Sequence, residues 1–162
     1  MAAFSFDIDV PVRSEWSNVD LLITSVENCF TAMFADVEGC HALAVVTGEL
    51  LENAIKYGDW SGGHAVFRLH VSGLDKNASI TVENPVSEDS SQVERLFAAL
   101  KWLEGFSSAD EAYRARLLEI ANTPPGEGMS GLGLARIAYE ANCKLHAERD
   151  RGRVRVTARL AL

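Results

Sequence analysis

The segment from Leu43 to Tyr57 constrains the fold most, because it predicts one long helix with an apolar stripe and a polar border beside it. Apolar residues recur at helical spacing and predict a stripe that packs on another layer: Leu43, Val46, Leu50, Ala54 and Tyr57. Glu49, Asn53 and Lys56 line up along the border of that stripe, where side chains can be half buried and directed at a ligand. The structural alternative is a solvated edge, with an ordinary ion pair between Glu52 and Lys56.

Alternating apolar and polar residues predict strands on both sides of this helix. The runs are Phe4 to Val10, Ala65 to Val71, Ile80 to Val82, Cys143 to Asp150 and Arg153 to Leu162. Helical spacing predicts a further helix from Asn18 to Phe34, which we expect Glu38-Gly39 to end, and Gly58 is expected to end the next one. Within residues 86–130, the serine and glutamate spacings Ser91 to Glu94 and Ser108 to Glu111 predict two capped helices.

The order of these elements predicts the fold class. It reads strand, two helices, two strands, a helical insertion, one helix and two strands. We expect an α+β protein, a two-layer α/β sandwich whose mixed, mostly antiparallel sheet of about five strands is covered by helices. With 162 residues, the chain is long enough for one domain over residues 1–162 that buries about 68–70% of its unfolded surface.

Charge and hydropathy exclude several classes of partner. A net charge of −8 repels the phosphate backbone, so we expect no nucleic acid partner. The late arginines, Arg149, Arg151, Arg153, Arg155 and Arg159, alternate with apolar residues and predict the wet face of an edge strand. No run approaches eighteen apolar residues and no secretory signal is recognisable, so we expect no membrane span and a cytoplasmic location.

Cys29, Cys40 and Cys143 lack CxxC partners and are predicted to be buried, reduced thiols.

A second motif, Ser130 to Arg136, places glycines at the start of a helix. Backbone N–H groups at such a start can approach an anion, and the helix dipole favours negative charge there. A tight turn into a closely packed helix is the structural alternative. The chain contains no G-x-x-x-x-G-K-S/T segment, and these glycines do not follow the first strand of a βαβ unit, so neither a P-loop nor a dinucleotide-binding fold is expected.

Together, the E-x-x-x-N-A-x-K-Y segment, the strand that ends at Asn84 and the GLGL helix start resemble the GHKL ATPase superfamily over nearly the whole chain. The resemblance implies that Asn53 binds the Mg²⁺ that bridges the ATP phosphates and that Lys56 lies near those phosphates. It implies that Gly131 and Gly133 form the second glycine box, with Leu132 and Leu134 as its packing residues. Residues 86–130 take the position of the ATP lid.

Glu49 stands where this superfamily distinguishes its subgroups. Sensor histidine kinases commonly have asparagine there, whereas the anti-sigma-factor serine kinases of bacterial partner switching and the hydrolysing ATPases have glutamate as the general base, which Glu49 resembles. The long helical insertion resembles the SiaB-like kinases. The chain departs from the superfamily at the first glycine box, D-x-G-x-G, where it has Glu83-Asn84-Pro85. Asn84 can still accept a hydrogen bond from an adenine amino group, but an amide binds it less strongly than a carboxylate.

Two functions follow from this resemblance. The first is an ATP- and Mg²⁺-dependent kinase that phosphorylates serine or threonine on a protein partner, either an anti-sigma antagonist or a sigma factor. The second is a degenerate relative that no longer turns over ATP and acts by binding a signalling partner. An autonomous ATP hydrolase fits less well, because the chain has no further domain to couple hydrolysis to movement. A homodimer is compatible with the resemblance.

Overall fold

The computed structural model describes residues 3–11, 19–33, 37–62, 66–124 and 131–162. In chain order the elements are β1 (Phe4–Pro11), α1 (Val19–Met33), α2 (Val37–Tyr57), β2 (Val66–Leu74), β3 (Asn77–Pro85), α3 (Ser91–Glu104), α4 (Ala109–Ala121), α5 (Leu132–Glu140), β4 (Lys144–Asp150) and β5 (Arg153–Ala161). Within these residues no helix is both long and apolar enough to cross a membrane.

The five strands form one sheet in the order β1-β2-β3-β5-β4. Every pairing that the structure describes is antiparallel. The predicted α+β class and the two-layer sandwich are confirmed, because alternate residues of each strand face a helical layer that contains α2 and α5. The core between the layers includes Leu43, Leu50, Phe67, Ile80 and Ile137.

The other face of the sheet is polar. One row of facing residues crosses all five strands and alternates in charge: Asp9, Arg68, Glu83, Arg155 and Glu148. Successive pairs along the row are joined by nitrogen to oxygen distances of 3.6, 3.4, 2.8 and 2.6 Å. Opposite charges directly across neighbouring strands stabilise a given register, so this row helps to specify the strand order.

The predicted helical insertion is present as α3 and α4. Ser108 caps α4 as predicted, since its hydroxyl accepts a hydrogen bond from the Glu111 amide at 3.2 Å. The return contact of the capping box differs, because the Glu111 carboxylate accepts from Ser107 instead of Ser108. At α3 the cap is Ser90, one residue before the predicted Ser91, and it accepts from the Val93 amide.

Three further sequence predictions are wrong in detail. Glu38 and Gly39 lie inside α2 and do not end α1; one glycine costs a helix only about 1 kcal/mol, and here Gly39 is buried. The arginines of β5 do lie on the wet face, but β5 pairs on both sides, so it is not an edge strand. Cys29 is exposed, whereas Cys143 is buried as predicted.

Candidate functional site

Glu49 lies where α2 meets the start of α5, and its side chain is only 14% exposed. The Arg136 guanidinium, one turn into α5, donates a hydrogen bond through Nη2 to Glu49 Oε1. The second oxygen packs against Gly133, where a Cβ atom would lie 1.9 Å from Glu49 Oε2. Two residues of α5, an element far from α2 in sequence, therefore contact the two oxygens of this carboxylate.

Burial sets the protonation behaviour of this carboxylate. Removal from water raises the pKa of Glu49, and the nearby charges of Glu52 and Glu140 raise it further. Arg136 acts in the opposite direction through its charge and its hydrogen bond, yet the pKa stays above its ordinary value. A carboxylate whose pKa is raised toward neutral pH is a better proton acceptor than an exposed one.

Asn53 lies one turn further along α2 and faces the end of β3. Its amide nitrogen donates to the Glu49 carbonyl at 2.8 Å, which fixes the orientation of the side chain. The Asn53 carbonyl oxygen accepts no hydrogen bond from any residue that the structure describes. Amide oxygens are ligands that Mg²⁺ accepts, so the chemistry of this atom fits the predicted role.

Asn84, at the end of β3, is buried with 2% of its surface exposed. Its amide nitrogen donates to the Pro85 carbonyl at 3.1 Å. Asn53, Asn84 and Leu134 line one cavity, so the structure brings together residues from the first motif, the β3 end and the second motif.

That cavity has a volume of only about 20 Å³. This volume suffices for a water molecule or an ion, whereas small-molecule sites usually measure about 300–1,000 Å³. Val93 and Leu96 of α3 line the cavity from the side of the insertion. A nucleotide therefore does not fit between Asn53 and Asn84 in this arrangement, in which α3 forms one wall of the cavity.

Gly131 precedes α5 in the left-handed conformation, with φ of 90°, which strongly favours glycine. Gly131 is the N-cap of α5 and has no side chain to cap it, and the first turn of α5 contains no acidic residue. The Arg116 guanidinium of α4 lies against this glycine, since a Cβ there would be 2.6 Å from Arg116 Nη2. Leu132 follows as the first, partly buried residue of α5. The turn thus places the first amide groups of a helix beside a guanidinium, an arrangement that suits an anion.

Sequence reasoning missed both arginines beside the glycine turn. Arg136 is part of the second motif but was not assigned a role, although it follows Gly133 by three residues and so lies one helical turn away. No sequence pattern pointed to Arg116, because its position depends on how α4 packs against α5. Its guanidinium carbon lies 4.9 Å from the centre of the Trp102 ring.

Lys56 lies one turn beyond Asn53 on α2 and two turns beyond Glu49. It is exposed near the end of α2, and its Nζ lies 5.1 Å from the centre of the Tyr57 ring. It lies seven positions after Glu49 in the sequence, which places it about 10 Å further along the helix axis. Lys56 does not line the cavity of Asn53 and Asn84. Its predicted contact with phosphates stays a prediction.

A larger cavity of about 1,110 Å³ lies at the opposite end of the sheet. The α3–α4 turn, the β2–β3 hairpin and the start of β4 surround it, with Leu103, Phe106 and Leu145 among its apolar lining residues. None of the residues that the two motifs single out lines this cavity. The predicted site and this larger cavity are therefore separate.

No protein-family model matches the chain, and no curated protein matches it. Among solved structures, a chain in the crystal structure of the SiaB–SiaC complex from Pseudomonas aeruginosa matches with a TM-score of 0.66. The match has 19% sequence identity and covers 97% of this chain and 89% of that chain. At this identity the likeness shows a shared fold over nearly the whole chain.

Proposed function

We propose that this protein is a GHKL-type kinase of bacterial partner switching, which transfers the γ-phosphoryl group of ATP to a serine or threonine of a partner protein. The observation that carries the proposal is the largely buried Glu49 carboxylate, which lies between the Asn53 turn of α2 and the first turns of α5. The shared fold supports it, because the matching chain belongs to the structure of a two-protein complex, SiaB with SiaC.

Each residue has a defined part in this reaction. The partner's hydroxyl oxygen attacks the γ-phosphorus, the bond to the β-γ bridging oxygen breaks, ADP leaves, and Glu49 accepts the hydroxyl proton. Asn53 would hold Mg²⁺, which neutralises phosphate charge when it is bound. Amide groups at Gly131 and Gly133 hold phosphate oxygens, Leu132 packs behind them, and Asn84 accepts from the adenine.

The second candidate is a binding module that no longer turns over ATP. The small volume between Asn53 and Asn84 favours it, as does Pro85 in place of the first glycine box. The two candidates differ in one physical property, because only the kinase must open the cleft between α2 and α3 far enough to bind a nucleotide.

Thermal melting with nucleotide separates the two candidates. ATP at 100 times its dissociation constant stabilises a protein by about 2.7 kcal/mol, so the kinase should melt at a higher temperature with ATP and Mg²⁺. Asn53→Ala should remove the part of this shift that depends on Mg²⁺. The same melting temperature with and without millimolar ATP and Mg²⁺ would favour the binding module.

Phosphoryl transfer is tested with a γ-thiophosphate analogue of ATP in a lysate of the source cells, followed by mass spectrometry of the labelled proteins. The expected result is a partner labelled on serine or threonine. Glu49→Ala should abolish labelling and leave nucleotide affinity nearly unchanged, whereas the neighbouring exposed Glu52→Ala should label normally. Full labelling by Glu49→Ala would rule out Glu49 as the base.

A further inference from the structure

We infer that Arg136 is a positioning residue for Glu49: it fixes the carboxylate that accepts the proton in the proposed transfer, and Gly133 provides the space for it. This inference rests on the proposed function for its catalytic part. The contact itself is independent of that function, because it joins two described helices directly.

The contact fixes the position of the carboxylate in two ways. Arg136 donates to Oε1, which defines one end of the group. Oε2 lies against the backbone of Gly133, in space that a Cβ would fill. A glutamate side chain has three rotatable torsions, and contacts at both oxygens leave little freedom in the last of them.

The arginine is itself held from its own helix. Arg136 Nε lies 3.9 Å from Glu140 Oε2, one turn along α5. The Arg136 side chain is 42% exposed, whereas that of Glu49 is 14% exposed. The guanidinium thus keeps part of its hydration while it compensates a carboxylate that has lost most of its own.

Position matters for this reaction because phosphoryl transfer depends mainly on alignment and electrostatics. A displacement of about 1 Å at a reacting group can reduce a rate by about 100-fold. Loss of Arg136 removes the donor at Oε1 and leaves Glu49 free to rotate away from the glycine turn. Binding of ATP itself does not depend on this carboxylate.

The test compares Arg136→Met with Arg136→Lys and with the matched control Arg114→Met, an exposed arginine of α4 that pairs with Asp110. We expect Arg136→Met to lower kcat by about 10- to 100-fold with little change in the KM for ATP, because the loss is confined to the transition state. Arg136→Lys should recover part of the rate. Arg114→Met should leave both constants unchanged.

A thermodynamic cycle tests the contact without any activity. Glu49→Gln, Arg136→Met and the double variant are melted, and we expect the double variant to lose less stability than the sum of the single losses. Strictly additive losses would overturn the contact, whether or not the protein is a kinase. If the losses couple but wild-type protein transfers no phosphoryl group, then the proposed function is wrong, and with it the catalytic part of this inference. Equal kcat in Arg136→Met and wild type would overturn the catalytic part alone.

Discussion

Gly133 has no side chain at the point where the Glu49 carboxylate crosses from α2 to α5. An alanine in the first turn of a helix normally stabilises it by about 1 kcal/mol relative to glycine. At Gly133 the sign should reverse, since the added Cβ would lie 1.9 Å from Glu49 Oε2 and 2.8 Å from the carboxyl carbon. Gly133 does not have a positive φ, so its backbone conformation does not require glycine. A loss of stability in the alanine variant would therefore come from the steric contact with Glu49.

We therefore predict that Gly133→Ala lowers stability by about 1–3 kcal/mol, the usual cost of excess volume at a packed site. For a chain of this size each kcal/mol corresponds to about 2–4 °C in melting temperature. Gly62→Ala is the control, since a Cβ there would meet nothing within 4 Å. In a Glu49→Ala background Gly133→Ala should cost nothing. A wild-type melting temperature for Gly133→Ala would show that the Glu49 carboxylate moves aside at no cost, and would contradict a carboxylate that is fixed in place.

The polar contacts of single residues were only partly predictable from sequence. Helical spacing placed Glu49 and Asn53 on one border of α2, and both are partly buried there. The same spacing placed Lys56 on that border, one turn beyond Asn53, and its side chain is exposed there. Contacts of Arg136 and Arg116 depend on how α5 and α4 meet α2 and the glycine turn, which no local pattern encodes.

At the scale of elements, β3 and β5 are joined by Glu83, which receives hydrogen bonds from Arg153 and Arg155. Burial alone would raise the pKa of Glu83, but the hydrogen bonds from Arg155 and Arg153 outweigh it and hold the pKa below the ordinary value. A carboxylate with a lowered folded-state pKa adds stability above its unfolded pKa, near about 4.3, and loses it as pH falls through the folded value.

We predict that Glu83→Gln lowers the free energy of unfolding at pH 7 by about 1–3 kcal/mol, the range for hydrogen bonds to charged groups. Denaturant titrations between pH 7 and pH 3 should show the difference from wild type shrinking below about pH 5, as protonation removes the charge from wild type too. Glu27→Gln, on the exposed face of α1, should show no such difference. A constant difference across the whole range would contradict the ion pairs.

The elements themselves were more predictable than their ends. Period-two and period-3.6 patterns identified all five strands, the long α2 and both helices of the insertion. In α4, however, the buried residue is Ala112, and Leu117 of its predicted stripe is 43% exposed. Predicted helix boundaries were wrong where burial outweighed the low helix propensity of a residue, as at Gly39 inside α2. The position of β5 within the sheet was not predictable from its alternating apolar and polar residues. An edge strand and a central strand with one solvent-exposed face have the same pattern.

At the scale of the whole molecule, α3 forms one wall of the cleft between Asn53 and Asn84. Val93 of α3 is 2% exposed and packs with Val86 and Val154, which closes the space beside Asn84. A ligand that binds only an open form has an apparent affinity reduced by the fraction of protein that is open. In the proposed kinase, each contact that holds α3 on the sheet therefore weakens ATP binding.

Val93→Ala should for this reason bind ATP more tightly while melting at a lower temperature. Destabilising the closed form alone by about 1.4 kcal/mol increases the open fraction about tenfold when the open form is rare, and lowers the apparent dissociation constant by the same factor. Val71→Ala is the matched control, because Val71 is equally buried in β2 but does not line the cleft. Calorimetric titration of ATP and Mg²⁺ into both variants measures the effect. Equal affinities in the two variants would show that α3 does not gate the cleft, whereas tighter binding by Val93→Ala alone identifies α3 as the element that a nucleotide, or a partner that displaces it, must move.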